Sequence, residues 1–290
     1  MNPKRFRHFS GIDWSGAVGE RHRGIAVALC SAGSAAPQLV RATHRWSRQE
    51  VFEWLRDELP RDTLVGLDLS TALAFADCGA FLPGIDHSPA DARALWALVE
   101  EVCADEPHLG AASFVDDPEF APHFRRHGGR EGASFGGGQG RLRVTEAHQK
   151  ALGCKPYSNF NLVGAAQVGK ASLTGMRVLH RLSEHLPLWP IDPLPDAGSV
   201  VVEIYTTVAA LAAGRSASRS KMRSYAELNA ALHRVASAPV PGEGPIDDHA
   251  SDALLAAAWL RHVAHSAELW APEAMTAEVA RTESWTFGVP

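Results

Sequence analysis

Cysteine is scarce in this chain, and its few occurrences are far apart. The four cysteines form no CxxC pair and stand at positions Cys30, Cys78, Cys103 and Cys154. A zinc site needs clustered thiolates, and a disulfide framework is typical of short secreted chains rather than of 290 residues. Both kinds of site are therefore disfavoured.

Long apolar runs are also missing. No uninterrupted stretch approaches the roughly 20 apolar residues that a membrane helix needs. The basic residues Lys4, Arg5 and Arg7 are not followed by the apolar segment of a secretory signal. We therefore expect a soluble, cytoplasmic protein with no membrane partner.

An excess of positive charge is the third absence, since the formal net charge is −5. No global basic field therefore indicates a nucleic-acid partner, although a local basic patch can suffice. With 46% hydrophobic and 21% charged residues, the composition is that of an ordinary globular protein. The length allows one large domain with an ample core.

The first 70 residues have the pattern of a compact α/β unit. Ser47 and Glu50 form a capping box at the start of a helix over 47–59, which Pro60 ends. Short apolar runs predict strands on either side of this helix. These strands cover residues 11–15, 23–31, 37–46 and 63–70.

The remainder alternates regular and irregular segments. Ser88 and Pro89 predict the start of a helix over 88–103. Residues 111–150 are rich in Gly, Arg and His and show no period, which favours a long loop or flap. Further predicted elements are a helix over 165–186, a strand over 199–206, and helices over 206–213, 224–236 and 247–265.

Several acids stand in apolar surroundings, where an ionised carboxylate is costly unless it is paired or bound to metal. They are Asp13, Asp68, Glu203 and the pair Asp248 and Asp252. Asp248 and Asp252 are four residues apart, so a helix places them on one face. Hard oxygen ligands without cysteine indicate Mg²⁺ or Mn²⁺ rather than Zn²⁺.

Each of these acids also has an ordinary explanation. Asp13 and Asp68 are each followed by turn-forming residues, and Asp248 or its neighbour is a natural N-cap. His249 is ambiguous, because it lies three residues before Asp252 on the same helix face, while exposure near a helix start is its ordinary explanation. Asp252 and Glu203 are harder to explain, because neither a second helical turn nor a central strand needs an acid.

The order of these features is more specific than any one of them. A strand ending in Asp, two strands, a helix, a second strand ending in Asp and a late helix bearing Asp are the layout of the ribonuclease H-like fold. In this order the chain resembles the DUF429 family of predicted nucleases, which belongs to the RuvC-like branch. The resembling motifs are GIDWSG (11–16), VGLDLS (65–70), VVEIYT (201–206) and DDHASDALLAAAWL (247–260).

The resemblance implies an α/β, ribonuclease H-like fold with a mixed central sheet flanked by helices. It implies one domain over 1–290, with a helical and loop insertion after the fourth strand. The core would cover 6–70 and 199–265, the insertion 71–198 and a C-terminal tail 266–290. The chain departs from the family where Thr206 replaces an expected proline.

The function that the resemblance implies is metal-dependent hydrolysis of phosphodiester bonds at a two-metal carboxylate site. Its catalytic acids would be Asp13, Asp68, Glu203 and Asp252. Its metal ligands would be Asp13, Asp68, Asp248 and Asp252, holding Mg²⁺ or Mn²⁺.

A nucleic-acid partner needs cations, and the loop-like segment supplies them. The substrate-binding candidates are Arg125, Arg126, Arg130, Arg141 and Arg143. Phe124 and Phe135 are available for stacking, although a solvated loop explains the segment equally well.

RuvC-like relatives are often dimers, so the resemblance also allows this protein to form a homodimer. Two alternative functions remain, a non-catalytic nucleic-acid-binding or scaffold protein and a hydrolase of small phosphorylated metabolites.

Overall fold

The computed structural model describes residues 5–126, 128, 130–163 and 168–290. It has a mixed six-stranded central sheet flanked by helices, with strand order β3-β2-β1-β4-β8-β7. A separate hairpin pairs β5 with β6. The strands are β1 (His8–Asp13), β2 (Ala26–Ser31), β3 (Gln38–Leu39), β4 (Thr63–Asp68), β5 (Arg125–Arg126), β6 (Arg130–Glu131), β7 (Leu188–Trp189) and β8 (Val200–Glu203).

Helices cover both faces of this sheet. In the described residues they are α1 (Arg48–Glu53), α2 (Ala92–Val102), α3 (Ala112–Asp116), α4 (Val144–Ala151), α5 (Val168–Leu182), α6 (Thr206–Ala212), α7 (Tyr225–Arg234), α8 (Asp248–Val263) and α9 (Ala277–Thr282). A π-helical turn, Trp54–Glu58, extends α1. Nothing in the described ranges is a helix long and apolar enough to span a membrane.

Strand directions and the twofold alternation of side chains determine what each face buries. β2 runs antiparallel to β1 and β3, whereas β1, β4, β8 and β7 are mutually parallel. Leu64, Val200 and Val202 pack in one core with α8, and Val65, Leu67 and Val201 pack in a second core with α1, α2 and α5. The sheet thus separates two apolar layers.

Several predicted boundaries are corrected. The capping box of Ser47 and Glu50 is confirmed. The helix predicted from Ser88 begins later, because Asp91 caps it while the Ser88 hydroxyl accepts a hydrogen bond from the Leu82 N–H. The strand predicted over 37–46 is only two residues long. Of the helix predicted over 165–186, residues 165–167 lie outside the described residues.

The segment predicted as a loop over 111–150 contains regular structure. It includes α3, the β5–β6 hairpin and α4. These elements are short and are surrounded by Gly and Arg, so no repeating pattern of apolar residues marks them in the sequence. The predicted insertion also contributes β7 to the edge of the central sheet. The predicted tail is packed into the core, where Trp285, Phe287 and Val289 are fully buried.

Close packing of α8 on β1 depends on one glycine. A Cβ atom at Gly11 would lie 2.5 Å from the Ala253 carbonyl oxygen and 2.7 Å from the Ala257 nitrogen. Both of those atoms are helix backbone, so neither can move independently of α8. Gly11 therefore sets how near α8 approaches the end of β1.

Gly11→Ala is expected to lower the free energy of unfolding by about 1–3 kcal/mol or more, because it forces α8 away from the sheet. Urea denaturation measures this difference. Ser10→Ala is the matched control, since the buried Ser10 hydroxyl has no hydrogen-bond partner within the described part of the chain. Equal stability of the two variants would contradict the packing argument.

Candidate carboxylate site

Two acids end neighbouring parallel strands. Asp13 is the last residue of β1 and Asp68 the last residue of β4, and the two are register partners. On β1 and β4, Gly11 and Gly66 stand two residues before these acids, and both glycines face atoms of α8. Because side chains alternate, Asp13 and Asp68 also face α8. Both acids are predicted site residues, and the fold places them side by side.

Asp252 reaches the same place from α8. It lies in the second turn of the helix, with only 4% of its surface exposed, and Asp13 is similarly buried at 5%. The charge of Asp252 acts on Asp13, and that of Asp68 acts on Asp252, so the three carboxylates lie near one another. Their oxygens do not all come within 4.8 Å of one another, as the ligand atoms of Asp247, Asp248 and His249 do. The sheet edge and the helix therefore form a cluster of three acids.

The cluster strongly perturbs its own protonation. Burial, together with the charge of Asp13, raises the pKa of Asp68 to about 7. Burial also raises the pKa of Asp252 to about 6, against the lowering effect of Lys221. Asp13 has a pKa raised by burial, which its hydrogen bond to His249 partly offsets. Such shifts are characteristic of functional sites.

Thr206 holds the Asp68 carboxylate in place. Its hydroxyl donates to Oδ2 at 2.8 Å and its backbone N–H donates to Oδ1 at 3.3 Å. The resemblance leads one to expect proline at this position, and proline could make neither bond. The departure at Thr206 therefore orients one of the acids.

His249 is a further member of the site, and its role was left open by the sequence. Its Nδ1 lies 2.5 Å from Oδ2 of Asp13, and this hydrogen bond raises the pKa of the imidazole. The sequence signal for this was its spacing of three residues from Asp252, which places both on one side of α8.

Lys221 is a member that sequence analysis missed. Its Nζ donates to Oδ2 of Asp252. Burial alone would lower the pKa of this ammonium, but the carboxylates of Asp252, Asp13 and Asp68 outweigh burial and raise it. Lys221 lies in an irregular segment between α6 and α7, where no period or motif marks it.

A second acidic group adjoins the first at the start of α8. In the part of the chain that the structure describes, Asp247, Asp248 and His249 have ligand atoms within 4.8 Å of one another. Asp247 caps α8 and pairs with Arg23 at 2.8 Å. Asp248, predicted as a metal ligand, belongs to this group, which the Asp13–His249 hydrogen bond links to the cluster of three acids.

Glu203 faces the opposite side of the sheet, in register with Leu67 rather than with Asp68. It is 2% exposed, and Arg143 donates to both of its oxygens, at 2.6 and 2.8 Å. Burial would raise the pKa of Glu203, but the guanidinium of Arg143 holds it below its usual value. Glu203 lines the same cleft as Asp13 and Asp68, but Arg143 already satisfies its carboxylate, so its place in the catalytic set stays a prediction.

Two of the five predicted substrate-binding arginines are structural. Arg143 is 1% exposed and holds Glu203 and Glu146. Arg141 is 8% exposed and binds Asp77 together with three backbone carbonyls. Both guanidinium groups are enclosed by protein in this structure, so contact of these two side chains with substrate stays a prediction.

The other three arginines lie on the β5–β6 hairpin. Arg125 pairs with Glu131 at 2.9 Å and Arg126 with Asp116 at 3.4 Å, and Arg130 is exposed. Their role in substrate binding stays a prediction. Phe124 and Phe135 are fully buried, so they are not available to stack on bases.

A cleft of 440 Å³ opens beside Asp13 and Asp68. Tyr157, which is 49% exposed, and the half-buried Tyr205 also line it. Burial raises the pKa of the Tyr205 hydroxyl. The volume is within the range of roughly 300–1,000 Å³ that small-molecule sites occupy. The cleft gives a ligand direct access to two of the three acids.

The raised pKa of Asp68 predicts how pH affects stability. Its value moves from 3.8 to about 7 on folding, so the folded state binds more protons between these limits. The contribution of Asp68 to stability is therefore fully present below about pH 4 and is lost as pH rises through about 7. Asp68→Asn removes this dependence, because asparagine does not titrate.

Urea unfolding in EDTA between pH 4 and pH 8 measures this effect. We expect the free energy of unfolding of the native protein, relative to Asp68→Asn, to fall steadily as pH rises. A constant difference between the two proteins across this interval would show that Asp68 ionises normally.

Comparison of the chain with protein-family models, with curated proteins and with solved structures finds no match. The case for a function therefore depends on the geometry and charge of the site itself.

Proposed function

We propose that this protein is a metal-dependent nuclease of ribonuclease H-like fold, which hydrolyses phosphodiester bonds. The observation that carries the proposal is the convergence of Asp13, Asp68 and Asp252 from β1, β4 and α8. This is the arrangement that the resemblance to the DUF429 family implies. The central strand order β3-β2-β1-β4-β8, with β2 antiparallel, supports the same fold.

The donor set suits a hard divalent cation. The buried carboxylates of Asp13 and Asp252 and the half-buried one of Asp68 supply only oxygen ligands, which Mg²⁺ and Mn²⁺ prefer. Burial raises the pKa of both Asp68 and Asp252. A bound dication would favour their ionised forms. Asp13, Asp68 and Asp252 would hold it, with Asp248 close by.

The protein's own groups have separable roles in this proposal. Thr206 orients Asp68, and His249 orients Asp13 through the hydrogen bond at 2.5 Å. Lys221 places a cation beside Asp252, where it can balance the charge of an incoming phosphate. Bound metal would supply activation of water and stabilisation of the leaving oxygen.

A panel of substrates tests the proposal. Single-stranded DNA, duplex DNA, branched DNA, RNA and nucleotides are incubated with native protein or Asp13→Asn, each with Mg²⁺, Mn²⁺ or EDTA. We expect cleavage of at least one polynucleotide that requires both the metal and Asp13. If no phosphodiester is cut and no metal raises the melting temperature, the proposal fails.

The volume of the carboxylate cleft favours one second candidate, hydrolysis of a small phosphorylated metabolite. The nucleotides in the same panel separate the two functions. Metal-dependent release of phosphate from a nucleotide, with all polynucleotides left intact, would support the second candidate and exclude the first.

A further inference from the structure

A second cleft adjoins the carboxylate cleft. It also has a volume of 440 Å³, and the two clefts share Gly16 and Ala17 as lining residues. These residues belong to the loop that follows β1, so this loop, called here the wall (residues 15–17), separates the two clefts. A ligand longer than one cleft would cross this loop.

The wall is firmly held. A Cβ atom at Gly16 would lie 2.4 Å from the Ala171 nitrogen, so the loop touches the backbone of α5. The buried guanidinium of Arg48 donates to the carbonyls of Ser15 and Ala17. The relative position of the two clefts is therefore built into the fold.

The residues that line the two clefts differ in formal charge. Among the described residues that line the carboxylate cleft, four are acidic and none is Lys or Arg. In the second cleft, the described lining residues include four cations, Arg48, Arg126, Arg130 and Lys170, and two acids. Glu106 accepts hydrogen bonds from the backbone N–H groups of Ala112 and Ser113, and Asp116, whose side chain is 71% exposed, pairs with Arg126 at 3.4 Å.

Lys170 is the cation next to the wall. Its Cβ would lie 2.8 Å from a Cβ built on Gly16, and its side chain is half-buried. Within the part of the chain that the structure describes, Lys170 has no ion-pair partner. Its charge is therefore available to a ligand that enters from the carboxylate cleft.

Most of the other described residues that line the second cleft are apolar or small, with His108 and Thr174 as the polar ones. Val18, Val115 and Leu162 contribute aliphatic surface, and the volume suits one nucleotide rather than a duplex. An unstacked base can pack between such apolar side chains, whereas a paired and stacked base cannot enter.

We infer that the second cleft binds one nucleotide of a single-stranded polynucleotide, adjacent to the phosphodiester that lies at the carboxylates. Lys170 and Arg126 contact the backbone phosphates, and the aliphatic side chains contact the base. The inference rests on the proposed hydrolysis for its choice of substrate. It adds that the substrate is single-stranded, or locally unpaired, on that side of the scissile bond.

Fluorescence anisotropy tests this inference without any cleavage. Labelled oligothymidylate and oligouridylate of about eight nucleotides, and a duplex of equal length, are titrated in EDTA over a range of KCl concentrations. The proteins are native, Lys170→Gln, Arg126→Gln and the control Arg7→Gln. Arg7 has 79% of its side chain exposed and directly precedes β1, so it lies at the opposite end of that strand from Asp13.

We expect single strands to bind more tightly than the duplex. Lys170→Gln and Arg126→Gln should each reduce the slope of log K against log salt by about 0.7, the value of one lost phosphate contact. Arg7→Gln should leave the slope unchanged. The two oligonucleotides show whether the cleft prefers DNA or RNA.

Val18→Asp tests the contact between the aliphatic side chains and the base. Val18 is 96% exposed, so its replacement does not disturb folding. This substitution should weaken binding of the single strand, and Val18→Thr should not. Equal slopes for all variants, or a duplex that binds as tightly as a single strand, would overturn the inference.

The inference and the proposed hydrolysis fail separately. Cleavage that requires Asp13 with no effect of Lys170 or Arg126 on binding would overturn the inference alone. Binding that depends on Lys170 and Arg126, with no cleavage under any condition, would overturn the hydrolysis and support the cleft as a nucleic-acid site.

Discussion

Replacing Arg143 with methionine is expected to lower the free energy of unfolding by about 3–5 kcal/mol. The guanidinium joins three parts of the chain, since it binds Glu203 at the end of β8, Glu146 in α4 and the backbone carbonyl of Glu283 near the C-terminus. Burial would lower the pKa of Arg143, but these acids raise it. Without Arg143, two buried carboxylates would have no cationic partner.

Urea denaturation at pH 7 measures the loss. Arg281→Met is the matched control, because Arg281 is half exposed and lies 3.9 Å from Asp91. An exposed pair of this kind contributes less than about 1 kcal/mol. Arg143→Lys keeps the charge but not the paired hydrogen bonds, so its stability should fall between native and Arg143→Met. Equal losses for Arg143→Met and Arg281→Met would contradict the buried network.

The same network shows what the sequence could not predict. The segment VVVE places Glu203 at the end of a buried strand, but the sequence does not show which face of the sheet the side chain lies on. That face depends on the register of β8 against β4, a long-range property. Arg143, its partner, lies 60 residues away in a segment whose Gly and Arg content predicts a loop. The sequence alone therefore could not show that these two side chains pair with each other.

Asp13, Asp68 and Asp252 were easier to predict because their local surroundings are distinctive. Each of the first two follows an apolar run, and parallel strands bring such ends to one edge of a sheet. Asp252 lies beyond the capping turn of a strongly apolar helix. Lys221 had no such signal, since only the folded path between α6 and α7 brings it to Asp252.

Asp13→Asn is expected to abolish the response of the protein to Mn²⁺ and to reduce any cleavage by roughly 10³-fold or more, since metal sites supply several kcal/mol of transition-state stabilisation. At a metal concentration of about 100 times Kd, the native protein should gain about 2.7 kcal/mol of stability, and the variant should gain none. In EDTA at pH 8 the variant should be at least as stable as native, because it lacks a buried charge that Asp252 repels.

Asp248→Asn is the matched comparison for Asp13→Asn, because each of these two residues belongs to a different one of two neighbouring groups of metal-ligand candidates. If Asp13, Asp68 and Asp252 hold the metal, Asp248→Asn should weaken Mn²⁺ binding by about 10–100-fold, as loss of a neighbouring group does, and should leave a measurable response. If Asp247, Asp248 and His249 hold it instead, Asp248→Asn should abolish the response and Asp13→Asn should preserve it. Calorimetric titration of both variants with Mn²⁺ therefore decides which set of carboxylates is the metal site, independently of whether a substrate has been found.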